Sequence, residues 1–217
     1  VAQGCPPARR AGQARPVKRL AVVALCAVLS ACAARGPVAP SGAPSSFADR
    51  MAALDLLGDW ALRGRLALKG PRDSASGSVH WWQGRESFDL RLHGAFGRGA
   101  MRLTENTAGA RLERADEAPI EASSAAVLIA DALPDTPLPL ASLRYWVTGR
   151  PAPGAVDAQQ LDADNRLALL RQDGWEIRYL EYQSVPPWAL PSKLHATRGD
   201  IELRLAVKQW LPGAHAP

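Results

Sequence analysis

Three hydrophobic rhythms follow one another along the chain. The first is a continuous apolar run, Leu20 to Leu29. Arg9, Arg10, Arg15, Lys18 and Arg19 precede it, and no acidic residue does. A basic start, a short apolar run and a small residue at its end describe a secretory signal peptide. The run is too short to span a bilayer. From Ala33 to Ser46 the pattern is lost: Ala, Pro, Gly and Ser dominate, with Arg35 the only charge. Such composition predicts a flexible tether reaching about 20 Å. The second rhythm is helical. Ser46 can cap a helix from about Phe47 to Leu57, with Phe47, Met51, Leu54 and either Leu57 or Ala53 on one face, stopped by Gly58.

The third rhythm has period two. In Trp60 to Lys69 one face carries Trp60, Leu62, Gly64, Leu66 and Leu68, and the other Ala61, Arg63, Arg65, Ala67 and Lys69. That is a strand with one wet face. Gly70-Pro71-Arg72-Asp73 turns the chain into a strand over Ala75–Gln83. After Gly84-Arg85 come strands over Glu86–His93, Arg98–Glu105 and Gly109–Arg114. Ser123–Leu133 reads as a helix with Ala126, Val127, Ile129, Ala130 and Leu133 apolar. A proline elbow (Pro134, Pro137, Pro139) leads to a short helix over Leu140–Thr148, and 154–160 reads as loop. Alternation resumes in Arg166–Gln172, Trp175–Gln183, Ser192–Thr197 and Ile201–Gln209. Nine or ten short strands joined by tight turns, with three helices, predict a mainly β (α+β) fold. Its long antiparallel sheet curls, and the helices pack on the concave side.

Composition changes the picture at two points. The whole chain has net charge +5 and an isoelectric point near 9.5, yet five of its 26 basic residues precede Cys32. The remaining 186 residues hold 21 basic against 21 acidic side chains. This balance argues against a nucleic-acid partner. Of Cys5, Cys26 and Cys32, only Cys32 would survive signal cleavage, which excludes a disulfide within the mature chain. The first residue is Val; Val17, just ahead of Lys18-Arg19 and the apolar run, is a plausible start.

The run ends in Leu29-Ser30-Ala31-Cys32, which resembles a bacterial lipobox. The resemblance implies a diacylglyceryl thioether on Cys32, cleavage before it and acylation of the new amine. The alternative is an ordinary secretory signal in which Cys32 is incidental. Several acyl chains would hold the body firmly on a membrane, each buried methylene contributing about 0.8 kcal/mol. The expected organisation is a signal over 1–31, lipidated Cys32 and tether over 32–46, one domain over 47–212 and a disordered tail over 213–217.

Little in the chain suggests chemistry. His80, His93, His195 and His215 lack metal-ligand spacing. Gly94, Gly97 and Gly99 join two strands in the order G-x-x-G-x-G, opposite to a dinucleotide fingerprint. No nucleophile elbow or P-loop is present. No catalytic residue, metal or cofactor is expected. What stands out is apolar. There are seven Trp beside three Phe and three Tyr. Most fit core packing, and some could line an apolar cavity. Trp81 and Trp82 are adjacent on a strand and so face opposite sides of the sheet. Phe96 sits in the glycine-flanked loop Gly94-Ala95-Phe96-Gly97-Arg98-Gly99. It either folds into the core or projects as an apolar wedge towards a membrane or an acyl chain.

Four stretches resemble the LolB family of outer-membrane lipoprotein receptors. They are the lipobox with Ala33 after it; Leu62-Arg63-Gly64-Arg65-Leu66-Ala67; Trp82-Gln83 with Leu90-Arg91-Leu92 through Gly94-Ala95-Phe96-Gly97; and Leu138 to Pro151, the most specific. The resemblance implies an incomplete antiparallel β-barrel closed by helices around an apolar cavity. Leu62, Leu66, Trp82, Leu90, Leu92 and Trp146 are the candidates for lining it. It implies partners: a periplasmic lipoprotein carrier, the acyl chains of cargo lipoproteins and the outer-membrane bilayer. A monomer facing the periplasm is expected. The family's protruding loop carries an exposed Leu that helps deliver cargo into the membrane. Here that position is Phe96, between Gly94 and Gly97. Ala33, not Asp, after Cys32 fits outer-membrane sorting. The competing expectations are a lipoprotein that binds another lipid or glycolipid, and a structural assembly partner with a solid core. Arg63, Arg65, Arg91 and Arg102 are candidates for meeting an acidic carrier, although a solvated strand face explains them equally well.

Overall fold

The computed structural model describes residues 46–72, 74–94 and 99–217. The signal, Cys32, nearly all of the tether, Phe96 and Gly97 lie outside the described residues. Helix α1 (Phe47–Asp55) begins where the Ser46 hydroxyl accepts the Asp49 backbone N–H at 3.1 Å. It ends before Gly58, whose φ of +60° suits glycine. Six strands then meander: β1 (Trp60–Lys69), β2 (Ser74–Gln83), β3 (Phe88–His93), β4 (Ala100–Asn106), β5 (Gly109–Arg114) and β6 (Ile120–Ala122). Helices α2 (Ala125–Ala132) and α3 (Leu140–Trp146) follow. A second meander closes the chain: β7 (Ala158–Leu161), β8 (Leu167–Gln172), β9 (Trp175–Val185), β10 (Trp188–Arg198) and β11 (Ile201–Pro212).

Both meanders join into one antiparallel sheet because β11 pairs with β1. The order is β6-β5-β4-β3-β2-β1-β11-β10-β9-β8-β7. With β6 and β7 at its two edges the sheet is strongly curved and not closed. A bulge between Arg63 and Gly64 shifts the β1–β11 register, and bulges sharpen bend and twist. Glycine is required there. A Cβ on Gly64 would stand 2.1 Å from the Ala206 carbonyl oxygen.

The period-two pattern sorts side chains as the sequence predicts. Trp60, Leu62, Gly64, Leu66 and Leu68 share the inner face, and the helices pack on that face in one continuous core. Trp60 lies 5.2 Å from Trp81 and 5.3 Å from Trp210, ring centre to ring centre. Trp146 and Trp175 lie 6.2 Å apart.

Three expectations need correction. Among the described residues the strands number eleven rather than nine or ten. The additions are β6 and the edge strand β7, which occupies part of the expected loop at 154–160. Both are too short to show periodicity. Strand β10 starts at Trp188, four residues before the predicted Ser192. Pro191 reads as a breaker, but it sits beside an irregularity in the β9–β10 ladder, where a missing N–H is tolerated. In α2 the buried side chains are Ala125, Leu128 and Ile129, with Leu133 just beyond; Ala126, Val127 and Ala130 are exposed.

Candidate apolar ligand site

The inner face is built in cross-strand rows. One runs Trp210–Leu62–Trp81–Leu90–Leu103–Leu112–Ile120, from β11 across to β6. The next contains Val207, Gly64, Val79, Leu92 and Met101. A third runs Tyr179–Leu194–Leu205–Leu66–Gly77. Together they form a wide apolar wall.

Of the side chains expected to line a cavity, Leu62, Leu66, Leu90 and Leu92 therefore share this wall. Trp146 reaches it from α3. Trp82 does not: it pairs with Ala61 and Asp89 on the outer face, where its indole N–H donates to the Ala214 carbonyl at 2.8 Å. Trp81 is the inward member of the pair. The same bond, and one from the Gly213 N–H to the Asp59 carbonyl at 2.8 Å, tie down the start of the tail.

The wall is unevenly covered. Leu62, Leu103 and Trp146 are fully buried, whereas Leu66, Phe88, Leu90 and Met101 remain partly exposed. So do Leu138 and Leu140, which lead into α3. Helix α2 packs on β4, β5 and β6. Helix α3 is pinned over β8 and β9: the Trp146 indole N–H donates to Gln172 Oε1 at 2.9 Å, and the Tyr179 hydroxyl donates to the Trp146 carbonyl at 3.0 Å. Gln172 also accepts the Ala152 N–H and donates to the Ala152 carbonyl, both at 2.8 Å. Burial pushes the Tyr179 hydroxyl's pKa well up, with neighbouring Tyr182 adding to it, so it remains a donor. The partly exposed leucines of β1 and β3 thus occupy the middle of the sheet, between the strands under α2 and those under α3.

The outer face is polar. Asp89 is buried there and accepts from Arg91 Nε at 2.9 Å and Arg102 Nη2 at 2.6 Å. Burial works to raise its pKa, but the two guanidinium hydrogen bonds and charges outweigh this and hold it below the usual carboxylate range. Arg63 and Arg65 share the face and make no ion pair among the described residues. The His80 imidazole is held below its ordinary value by burial, and then by the charges of Arg63 and Arg91. A hollow of about 450 Å³ opens on this side, lined by Arg65, Ala67, Ser76, Leu180, His195 and Arg204 among others. The loop expected to project begins at Gly94, whose φ of +81° and N–H bond to the Gly99 carbonyl at 2.9 Å close its neck. Its tip lies outside the described residues.

The sequence reading passed over Arg50, Gln172 and Tyr182. Arg50 lies on the buried side of α1 at 3% exposure. Its position, one before Met51 on the predicted apolar face, was the available signal.

A curved, unclosed antiparallel sheet with helices against a broad apolar wall is a half-barrel with an apolar, unevenly covered inner face. The model of the family described as outer membrane lipoprotein LolB matches residues 58–210. A relative from Pseudomonas putida KT2440, named outer-membrane lipoprotein LolB, is 38% identical over 191 residues, covering 87% of this chain and 93% of its own. One of the same name from Pseudomonas savastanoi pv. phaseolicola is 35% identical over 199 residues, covering 90% and 97%. The chain belongs to the LolB family. The crystal structure of a LolA superfamily protein from Nitrosomonas europaea aligns with a TM-score of 0.46 at 8% identity, over 74% of this chain and 88% of that one.

Proposed function

We propose that this protein is an outer-membrane lipoprotein receptor. It takes the acyl chains of lipoproteins from a periplasmic carrier onto the inner wall of its half-barrel and passes them to the bilayer. The observation that carries the reading is the wall itself: Leu66, Leu90 and Met101 are apolar, inward and only partly covered. Family membership supplies the class of cargo. The lipid on Cys32 would keep the body beside the target membrane. Phe96, between Gly94 and Gly97, would act as the apolar wedge for release. No covalent step is needed. Transfer runs downhill if affinity rises along the route, and about 1.4 kcal/mol, less than two buried methylenes, gives a tenfold bias.

The test uses the lipid-anchored chain in liposomes, mixed with a carrier loaded with a labelled lipoprotein. Wild type should strip the carrier and leave the label in the bilayer. Leu90→Glu should leave cargo on the carrier, because a charge on the wall opposes burial of acyl chains. Phe96→Glu should take cargo and fail to insert it. If wild type removes no cargo, the receptor reading is wrong, and a lipoprotein binding another lipid becomes the better account.

A further inference from the structure

Helix α1 sits where β9 and β10 turn. Trp188 donates its indole N–H to the Ala53 carbonyl at 2.7 Å, and Arg150 pairs with Asp55 at 3.0 Å. Helix α1 buries Leu54 and, unusually for a charged residue, Arg50, at 3% exposure. One of its Nη atoms donates to the Ala189 carbonyl, and its guanidinium lies 5.3 Å from the centre of the Tyr182 ring. Its Nε is buried and has no hydrogen-bond partner among the described residues.

Arg50 also makes no ion pair among the described residues. The carboxylate whose charge reaches it is Asp162, which is paired with Arg166 at 2.8 Å. Arg166 itself lies over the same Tyr182 ring at 4.8 Å. A buried cation without a carboxylate is costly, and a buried donor without an acceptor adds to the cost. Phe47 and Met51 on the same helix, and Val185 and Trp188 at the β9–β10 turn, pack on the core without being fully covered.

A cationic side chain with one spare donor, beside partly covered apolar side chains, matches one chemical feature of an acylated ligand. Its chains are hydrocarbon, but each is joined through an ester or amide carbonyl. That oxygen loses its water when the chain enters and needs a donor. We infer that Arg50 binds the ester and amide carbonyl oxygens at the head of the incoming acyl chains, with Phe47, Met51 and Trp188 holding the first methylenes. The inference rests on the proposed function and deepens it: the wall supplies affinity for hydrocarbon, and Arg50 distinguishes an acylated head group from plain hydrocarbon.

The test uses the full chain carrying Cys32→Ala, so that it brings no lipid of its own. Three fluorescent probes share one chain length: an alkane, an acyl ester and a fatty acid. In wild type the ester should bind about tenfold or more tighter than the alkane, as expected of a charge-assisted hydrogen bond. Arg50→Met should abolish that difference while leaving alkane affinity and cooperative unfolding unchanged. Arg50→Lys should restore part of it. If the variants lower ester and alkane affinity equally, Arg50 merely anchors α1 and the inference fails. It fails likewise if Arg50→Met leaves the ester preference intact. A preference for the fatty acid alone would assign Arg50 to a carboxylate instead. If wild type binds no probe at all, the receptor reading falls and takes this inference with it.

Discussion

Replacing Trp81 and Trp82 one at a time, each by Ala, asks which face of the sheet does the work. The two are neighbours in sequence and both almost buried, so composition and hydropathy treat them alike. Structurally they differ. Trp81 packs tilted against Trp60, 5.2 Å between ring centres, within the inner core and donates to Gln83 Oε1 at 3.2 Å. An indole burying about 200 Å² at about 25 cal/mol per Å² gives about 5 kcal/mol as an upper estimate. Residual compactness of the unfolded chain trims this to about 3–4 kcal/mol, within the range for Trp→Ala in a core. Trp82 covers the outer face beneath the tail, and its indole N–H bonds to Ala214, three residues from the chain's last. Its loss should cost about 1.5–2.5 kcal/mol. Urea unfolding of the two variants should show this order with an unchanged slope. Acyl-ester binding should change strongly for Trp81→Ala, which remodels the wall, and stay within twofold of wild type for Trp82→Ala. Equal destabilisation, or a binding defect confined to Trp82→Ala, would refute the assignment of faces.

Asp89→Asn should cost about 1–3 kcal/mol at neutral pH by leaving two guanidinium groups without their carboxylate. Because the folded carboxyl titrates below its ordinary value, the wild-type stability it contributes is complete above the unfolded value of about 3.9. That contribution is lost as pH falls through the folded value. Unfolding curves of wild type and variant should therefore converge between about pH 5 and pH 2; a constant gap would contradict this. Gly64→Ala should lose at least about 2 kcal/mol, since its Cβ meets backbone at Ala206 that cannot swing aside. A neutral result in thermal unfolding would mean that the bulge is dispensable. Thr136→Val should raise stability by about 0.5–2 kcal/mol, because the Thr136 hydroxyl is fully buried without a partner among the described residues. A lower Tm would show that the hydroxyl is satisfied in solution.

The inner wall was legible because period-two alternation is strict wherever one face is buried. Leu62, Leu66, Leu90 and Leu92 fall on it directly from the sequence. The pairing of β11 with β1, which turns two meanders into one curved sheet, was not legible, since 130 or more residues separate the partners and nothing local records the match. The order of helices and strands pointed to a concave side but could not say how α2 and α3 divide it. Trp82 was drawn into the candidate set by the family motif and excluded by the pleat. Arg50 was missed because a charge on an amphipathic helix is ordinarily solvated. Only the packing of α1 against Tyr182 and Ala189 shows it buried. Gln172 is a polar residue at a strand end with nothing in the sequence to mark it as buried, yet it holds Trp146 and Ala152 together.

The central claim is that cargo acyl chains lie on the inner wall. Placing a photo-cross-linking side chain at Leu90 on the inside, and separately at His80 on the outside, puts that claim to a direct test in the lipid-anchored protein receiving a labelled lipoprotein from its carrier. Cross-links to the acyl chains from position 90 and none from position 80 are the predicted result. Cross-links from position 80, with position 90 silent, would place the cargo on the outer face and contradict the account.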